Sequence, residues 1–196
     1  MIATRSKGKF PEIIAVLAGL PFEFINLNDI PELPRGYEVE EPATTFEGNA
    51  IIKAMTLGKK TGLLTLADDS GLEVDALGGA PGVYSARYAP GSDEDRYNKL
   101  LQALSDVPGE KRTARFRCVI ALYDPSSDRV RTCDGSVEGS MLTEPRGTNG
   151  FGYDPIFFTT ELQKTMAQAT LEEKNTMSHR GRALQKARAI LQNDFL

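Results

Sequence analysis

Apolar residues recur along the chain with two periods, and their alternation lays out the fold. After Lys9, Ile13, Ile14, Val16, Leu17 and Leu20 fall at helical spacing. Phe46, Ala50, Ala54 and Leu57 do so again, behind the capping-box pattern Thr44-Thr45-Phe46-Glu47. That second helix ends near Lys60, where Gly62 breaks it, and carries Asn49 and Lys53 one turn apart on a different face. Residues 93–104 predict a third helix with acids in its first turn. Thr170-Leu171-Glu172-Glu173 is another capping box. Ser178 can then cap a final amphipathic helix whose inner face is Ala183, Leu184, Ala187, Ile190 and Leu191.

Strand signals lie between these helices. Ile2 and Ala3 begin a short strand, Phe22 to Leu27 alternates as a second, and Leu63-Leu64-Thr65-Leu66-Ala67 reads as a buried third. The third strand delivers Asp68 and Asp69 into an expected turn with Ser70 and Gly71. Residues 115–123 and 130–141 flank Asp124-Pro125-Ser126-Ser127-Asp128 as an antiparallel hairpin, and Ile156-Phe157-Phe158 is a last short strand. The β-loop-α order predicts an α/β fold, which the hairpin makes a mixed sheet.

Composition narrows the class. At 196 residues with 40% hydrophobic and 26% charged side chains, the chain suits one globular domain with a sizeable core. No apolar run approaches the roughly 20 residues that span a bilayer. The start, MIATRSKGKF, holds no segment of signal-peptide length, so a cytoplasmic location and no membrane partner are expected. A net charge of −4 gives no support to nucleic-acid binding. Basic residues nevertheless cluster at Arg5, Lys7 and Lys9 and at Lys174, His179, Arg180 and Arg182, which suits a compact phosphate ligand. Cys118 and Cys133 form no CxxC motif and are expected to be core thiols.

Three stretches carry candidate chemistry. Asp68 and Asp69 must point to opposite faces of their strand, and two readings fit them: ligands for a hard cation such as Mg²⁺, or an acidic turn. The loop from Thr4 to Lys9, basic and at a helix N-terminus, is either a phosphate site or a solvated basic end, and it is not a Walker loop. The glycine-rich residues 147–155 let backbone approach a ligand while Phe151 or Tyr153 stacks on a flat group. A lone histidine in a helix's first turn, with no Ser or Cys motif to serve, has no nucleophile to activate.

Taken in order, ATRSKGK, TFEGNAIIKA, LADDSGLEVDALGGAPGVYSARYA, GTNGFGYDPIF and EEKNTMSHRGRAL resemble the inosine triphosphate pyrophosphatase family over essentially the whole chain. The resemblance implies Mg²⁺-dependent hydrolysis of ITP, dITP and XTP to the monophosphate and pyrophosphate. It also implies a homodimer and one domain, 1–196: a long mixed β-sheet flanked by helices, in two lobes with the active-site cleft between them. By resemblance, Thr4, Arg5, Ser6, Lys7, Gly8 and Lys9 hold the phosphates, and Asp69 binds metal and activates water with either Glu40 or Glu41 as its metal partner. Asn49, Lys53 and Ser70 match further substrate contacts. Phe151, Gly152, Tyr153, Asp154, Lys174, His179 and Arg180 match the base-reading segments. The family's first motif usually has Asn where this chain has Ser6, which puts the role of Ser6 in question. The rivals are a Maf-like pyrophosphatase acting on canonical or modified pyrimidine nucleotides, and a nucleotide-binding module without turnover.

Overall fold

The computed structural model describes every residue except Lys7, Glu32 and Arg35. Five helices are formed by the described residues: α1 (Lys9–Leu17), α2 (Phe46–Thr61), α3 (Asp93–Ala103), α4 (Leu171–Met177) and α5 (His179–Asp194). Five strands, β1 (Thr65–Val74), β2 (Thr113–Asp124), β3 (Arg129–Met141), β4 (Phe157–Thr159) and β5 (Lys164–Thr165), make one sheet in that order. The pairings of β4 with β3 and with β5 are antiparallel. The mixed character comes from Ile2, which bridges Leu66 and Asn26 in parallel.

Helix ends follow local chemistry. The Thr45 hydroxyl accepts from the Gly48 N–H and starts α2, and Gly62, at φ +70°, closes it in the left-handed conformation. The cap is therefore Thr45, one residue later than the Thr44–Glu47 pattern requires. Glu47 instead accepts from the Thr132 hydroxyl at 2.8 Å. Complete capping boxes form at Ser92/Asp95 for α3 and Thr170/Glu173 for α4.

Three strand expectations fail. Ile2 and Ala3 begin no strand, Ile2 making only isolated bridges. Phe22 to Leu27 makes only the single bridge at Asn26, because the Asn26 side chain accepts from the Asn28 N–H at 2.8 Å and turns the chain into a 3-10 segment, Leu27–Asp29. No turn follows Asp69: β1 continues through Ser70 and Gly71 to Val74. Leu72 and Val74 are fully buried and prolong the strand, so the two acids sit in mid-strand.

The chain divides into two compact units. The first comprises Met1–Asp69, Cys118–Gly135 and Arg180–Leu196; the second comprises Ser70–Arg117 and Ser136–His179. The core of the first joins Ile13 and Leu17 of α1 and Leu66 of β1 to Cys118, Ile120 and Leu122 of β2 and to Ala183, Leu184, Ala187 and Leu191 of α5. The α5 residues are those its periodicity marked. The core of the second gathers Leu72 and Val74, Leu100 and Leu104, Phe116, Val137, Tyr153, Ile156 and Phe157. Cys118 and Cys133 are free thiols, and burial pushes the Cys133 thiol up to about 12. No helix among the described residues is long and apolar enough to cross a membrane.

Gly58 shows tertiary packing opposing helix propensity. A Cβ there would lie 2.5 Å from the ring of buried Tyr123. Ala in a helix interior gains about 1 kcal/mol over Gly, whereas overpacking a core costs about 1–3 kcal/mol. Gly58→Ala is expected to lower the denaturant midpoint despite its better propensity; a raised midpoint would show that Tyr123 yields freely.

Candidate active site

In the first unit, charged side chains converge on the two neighbouring acids of β1. Because successive strand residues face opposite ways, Asp68 and Asp69 enter different surroundings. Asp68 is 2% exposed and is approached by Lys9 Nζ at 2.9 Å and Arg180 Nε at 3.5 Å. Arg180 Nη1 also donates to Glu12 Oε2 at 2.6 Å, and Lys53 Nζ donates to the Asp68 carbonyl at 3.0 Å. Burial alone would lift the Asp68 carboxyl, but the charges of Lys9, Arg180 and Lys53 hold it well below the usual carboxylate range.

Asp69 goes the other way. Its Oδ2 accepts from Asn49 Nδ2 at 3.1 Å, and the Asn49 carbonyl oxygen accepts from the Ala43 N–H at 2.9 Å, which sets the amide's direction. Burial is the main cause raising Asp69, the Glu41 carboxylate adds to it, and Lys53, Asn49 and Lys9 only partly offset them, leaving it pushed up to about 6. Glu41 is half-buried and ion-paired with Lys53, whereas Glu40 is exposed. Glu41 is thus the member of that pair whose charge acts on Asp69. Lys53 is held above its ordinary value: burial would lower it, but Asp68 and Glu41 outweigh burial.

The basic loop scaffolds itself. Thr4 Oγ1 accepts from the Ser6 N–H at 3.2 Å, and Ser6 Oγ accepts from the Lys9 N–H at 3.3 Å. Ser6, where the family usually has Asn, therefore supports the entry into α1 just after Gly8. Arg5 is turned onto Asn28 and the Tyr37 carbonyl. Lys7 lies outside the described residues.

The second unit holds another set. Phe151, Asp154 and Lys174 form a cluster: Lys174 Nζ donates to Asp154 Oδ2 at 2.6 Å and stands 5.6 Å from the Phe151 ring centroid. The Phe151 N–H donates to the same carboxylate at 3.2 Å. Gly150, at φ +80°, keeps this space open, since a Cβ would fall 2.1 Å from Asp154 Oδ2 and 2.7 Å from Lys174 Nζ. Tyr153 is a core ring, 4% exposed, whose hydroxyl donates to the Ser85 carbonyl at 2.8 Å, so it anchors the loop from beneath. His179 is buried and stacks on Phe116 at 4.8 Å and 12°. Ser70 follows Asp69 in β1 and is half-buried.

Two contributors escaped sequence reasoning. Glu12 lies three residues from Lys9, beside Ile13 on the buried side of α1, where an acid needs a partner; that misplacement was the available signal. Phe116 carried none, being one more apolar residue of a strand. In the first unit, Lys9, Lys53 and Arg180 face Glu12, Glu41, Asp68 and Asp69, three cations against four carboxylates. No group of three or more metal-ligating side chains occurs among the described residues. The two acids Asp69 and Glu41 nevertheless suit Mg²⁺, which commonly takes one or two protein carboxylates and completes its shell with water and substrate phosphates.

Comparison with known proteins shows which family the chain resembles over its length. A sequence model of the Ham1 family matches residues 1–190. A dITP/XTP pyrophosphatase of Geobacter sulfurreducens is 56% identical over 186 residues, covering 94% of this chain and 92% of that protein. One from Bacillus licheniformis is 50% identical over 193 residues, 97% of this chain and 96% of its own length. Among solved structures, a HAM1 protein from Coxiella burnetii superposes with a TM-score of 0.88 at 43% identity, covering 97% of this chain and 96% of that one. The Staphylococcus aureus Ham1 protein gives 0.86 at 40% identity, with 98% and 97% covered.

Proposed function

Since the chain belongs to the Ham1 family, we propose that it hydrolyses dITP, ITP and XTP to the monophosphate and pyrophosphate, with Mg²⁺ as its metal. The observation that carries this reading is the opposite tuning of adjacent acids: Asp68 is held ionised among cations while Asp69 is raised to about 6 beside Glu41. A general base works best with a pKa near the operating pH, and in the metal-free protein burial and Glu41 push Asp69 toward that range. In this reading Asp69 orients and deprotonates the water that attacks the α-phosphorus. Lys9 and Lys53 bring positive charge toward a polyanionic substrate, and Asp68 fixes where both ammonium groups stand. Asp69 and Glu41 would hold Mg²⁺, which supplies charge neutralisation to the phosphates when bound.

The second unit supplies the base chemistry. The Phe151 ring offers a stacking face, and Lys174 and His179 are donors suited to the 6-oxo acceptor of hypoxanthine and xanthine. Adenine presents an amino donor at that position, so donor would face donor, a penalty of about 1–3 kcal/mol per contact. Arg180, oriented by Glu12 and Asp68, belongs to the same reading as a further donor. A homodimer in the cytoplasm is part of this proposal.

The direct experiment measures pyrophosphate against orthophosphate released from ITP, dITP, XTP, GTP, ATP and dTTP, with Mg²⁺ and with EDTA. Pyrophosphate from the first three alone, abolished by EDTA, supports the reading. Orthophosphate would mean a different bond is cut, and preference for dTTP would favour the Maf-like enzyme. A pH dependence also follows. A proton on Asp69 competes with the cation, so Mg²⁺ affinity should be level above pH 7 and fall about tenfold for each unit below about 6. Calorimetric titration from pH 5 to 8 reads this directly, and a flat profile would remove Asp69 from the metal's ligands.

A further inference from the structure

Among the residues that the proposed chemistry leaves unused, Asp93 makes the contact with the clearest consequence. It opens α3, whose start is locked by the Ser92/Asp95 capping box. From there its Oδ2 accepts the Gly152 N–H at 2.7 Å, 59 residues along the chain. Its other oxygen is ion-paired with Arg96, which also donates to the Gly91 carbonyl at 3.2 Å and so fixes the carboxylate's direction. Gly152 sits at φ +62°, a left-handed conformation that glycine adopts without steric cost.

Phe151 is therefore bracketed by two carboxylates. Its own N–H is held by Asp154 and the next N–H by Asp93. With both amides tied, the stretch of backbone that carries the ring cannot shift away from Lys174 without breaking a charge-assisted hydrogen bond. We propose that Asp93 is a positioning residue for nucleobase recognition: by anchoring the Gly152 amide it holds the backbone from which the Phe151 ring projects beside Lys174. This rests on the pyrophosphatase reading above. Because the base does not react, the interaction should be equally strong in ground and transition states, and its loss should appear in KM rather than kcat.

The test is steady-state hydrolysis of ITP by the full-length protein. Asp93→Ala should raise KM about tenfold with kcat within about twofold. Asp93→Asn, which keeps an acceptor oxygen, should restore most of the lost affinity. Glu94→Ala, which removes the neighbouring charge of the same helical turn, should leave both constants unchanged. Hydrogen exchange supplies a readout without substrate: the Gly152 amide should lose protection in Asp93→Ala and keep it in Asp93→Asn. An active wild type whose KM is unmoved by Asp93→Ala, or whose kcat falls in step with kcat/KM, overturns the inference alone. So does a Gly152 amide equally protected in both variants. A wild type that releases no pyrophosphate from ITP or XTP overturns the pyrophosphatase reading itself.

Discussion

Asp69→Asn is expected to reduce kcat on ITP by about 10³-fold, within the range assigned to a positioned general base, and to leave the protein folded and more stable. The two effects share one cause. Burial and the Glu41 carboxylate raise Asp69 from 3.8 to about 6, so at pH 7 the folded chain carries an ionised group that its surroundings disfavour, by about 3 kcal/mol. A carboxyl raised on folding adds stability only while protonated; that contribution is lost as pH climbs through about 6. The neutral amide of Asn escapes this penalty and can still meet Asn49 across the 3.1 Å hydrogen bond. A melting temperature raised at pH 7.5, but not at pH 4, with turnover nearly gone, is the expected pattern. A variant that retains a tenth of wild-type kcat would sink the assignment of Asp69 as base.

Asp68→Ala should behave in the opposite way. Asp68 is 2% exposed, and its removal takes the near carboxylate from Lys9 and one of two from Arg180. Breaking a buried ion pair by deleting one partner costs about 3–5 kcal/mol, on the order of 10 °C in melting temperature for a chain this long. The sign of the pH dependence is fixed by the depressed carboxyl. Its stabilisation is complete above the unfolded value near 4 and is lost as pH falls below that. Melting curves of wild type and variant should therefore stay apart from pH 8 down to about 5 and converge only in stronger acid. Equal melting temperatures at pH 7, or convergence already by pH 6, would contradict the buried cluster. The contrast with Asp69→Asn matters because the two residues are chain neighbours of one chemical type.

Much of this was legible along the chain where the cause is local. The starts of α3 and α4, the left-handed close of α2 at Gly62 and the apolar faces of α1, α2 and α5 depend on residues within a turn of each other. Sequence order also brought the acids, the basic loop and the glycine-rich loop into view, and it required Asp68 and Asp69 to diverge because strand side chains alternate. Expectations failed where a competing interaction was distant or small. Asn26 ended a strand with one side-chain hydrogen bond, and Leu72 and Val74 carried β1 past an apparent turn into a core that no local window contains.

What only the tertiary structure decided is the electrostatic environment of each candidate. Arg180 reaches Glu12 across 168 positions of sequence, Glu41 rather than Glu40 turns its charge on Asp69, and two adjacent aspartates acquire opposite shifts. A hydrogen bond in a helix turn is set by its own few residues. The pKa of a buried acid is set by whatever charges the whole fold brings within several ångströms and by how much water it removes, so the same two letters in sequence become one carboxyl held low and one pushed up.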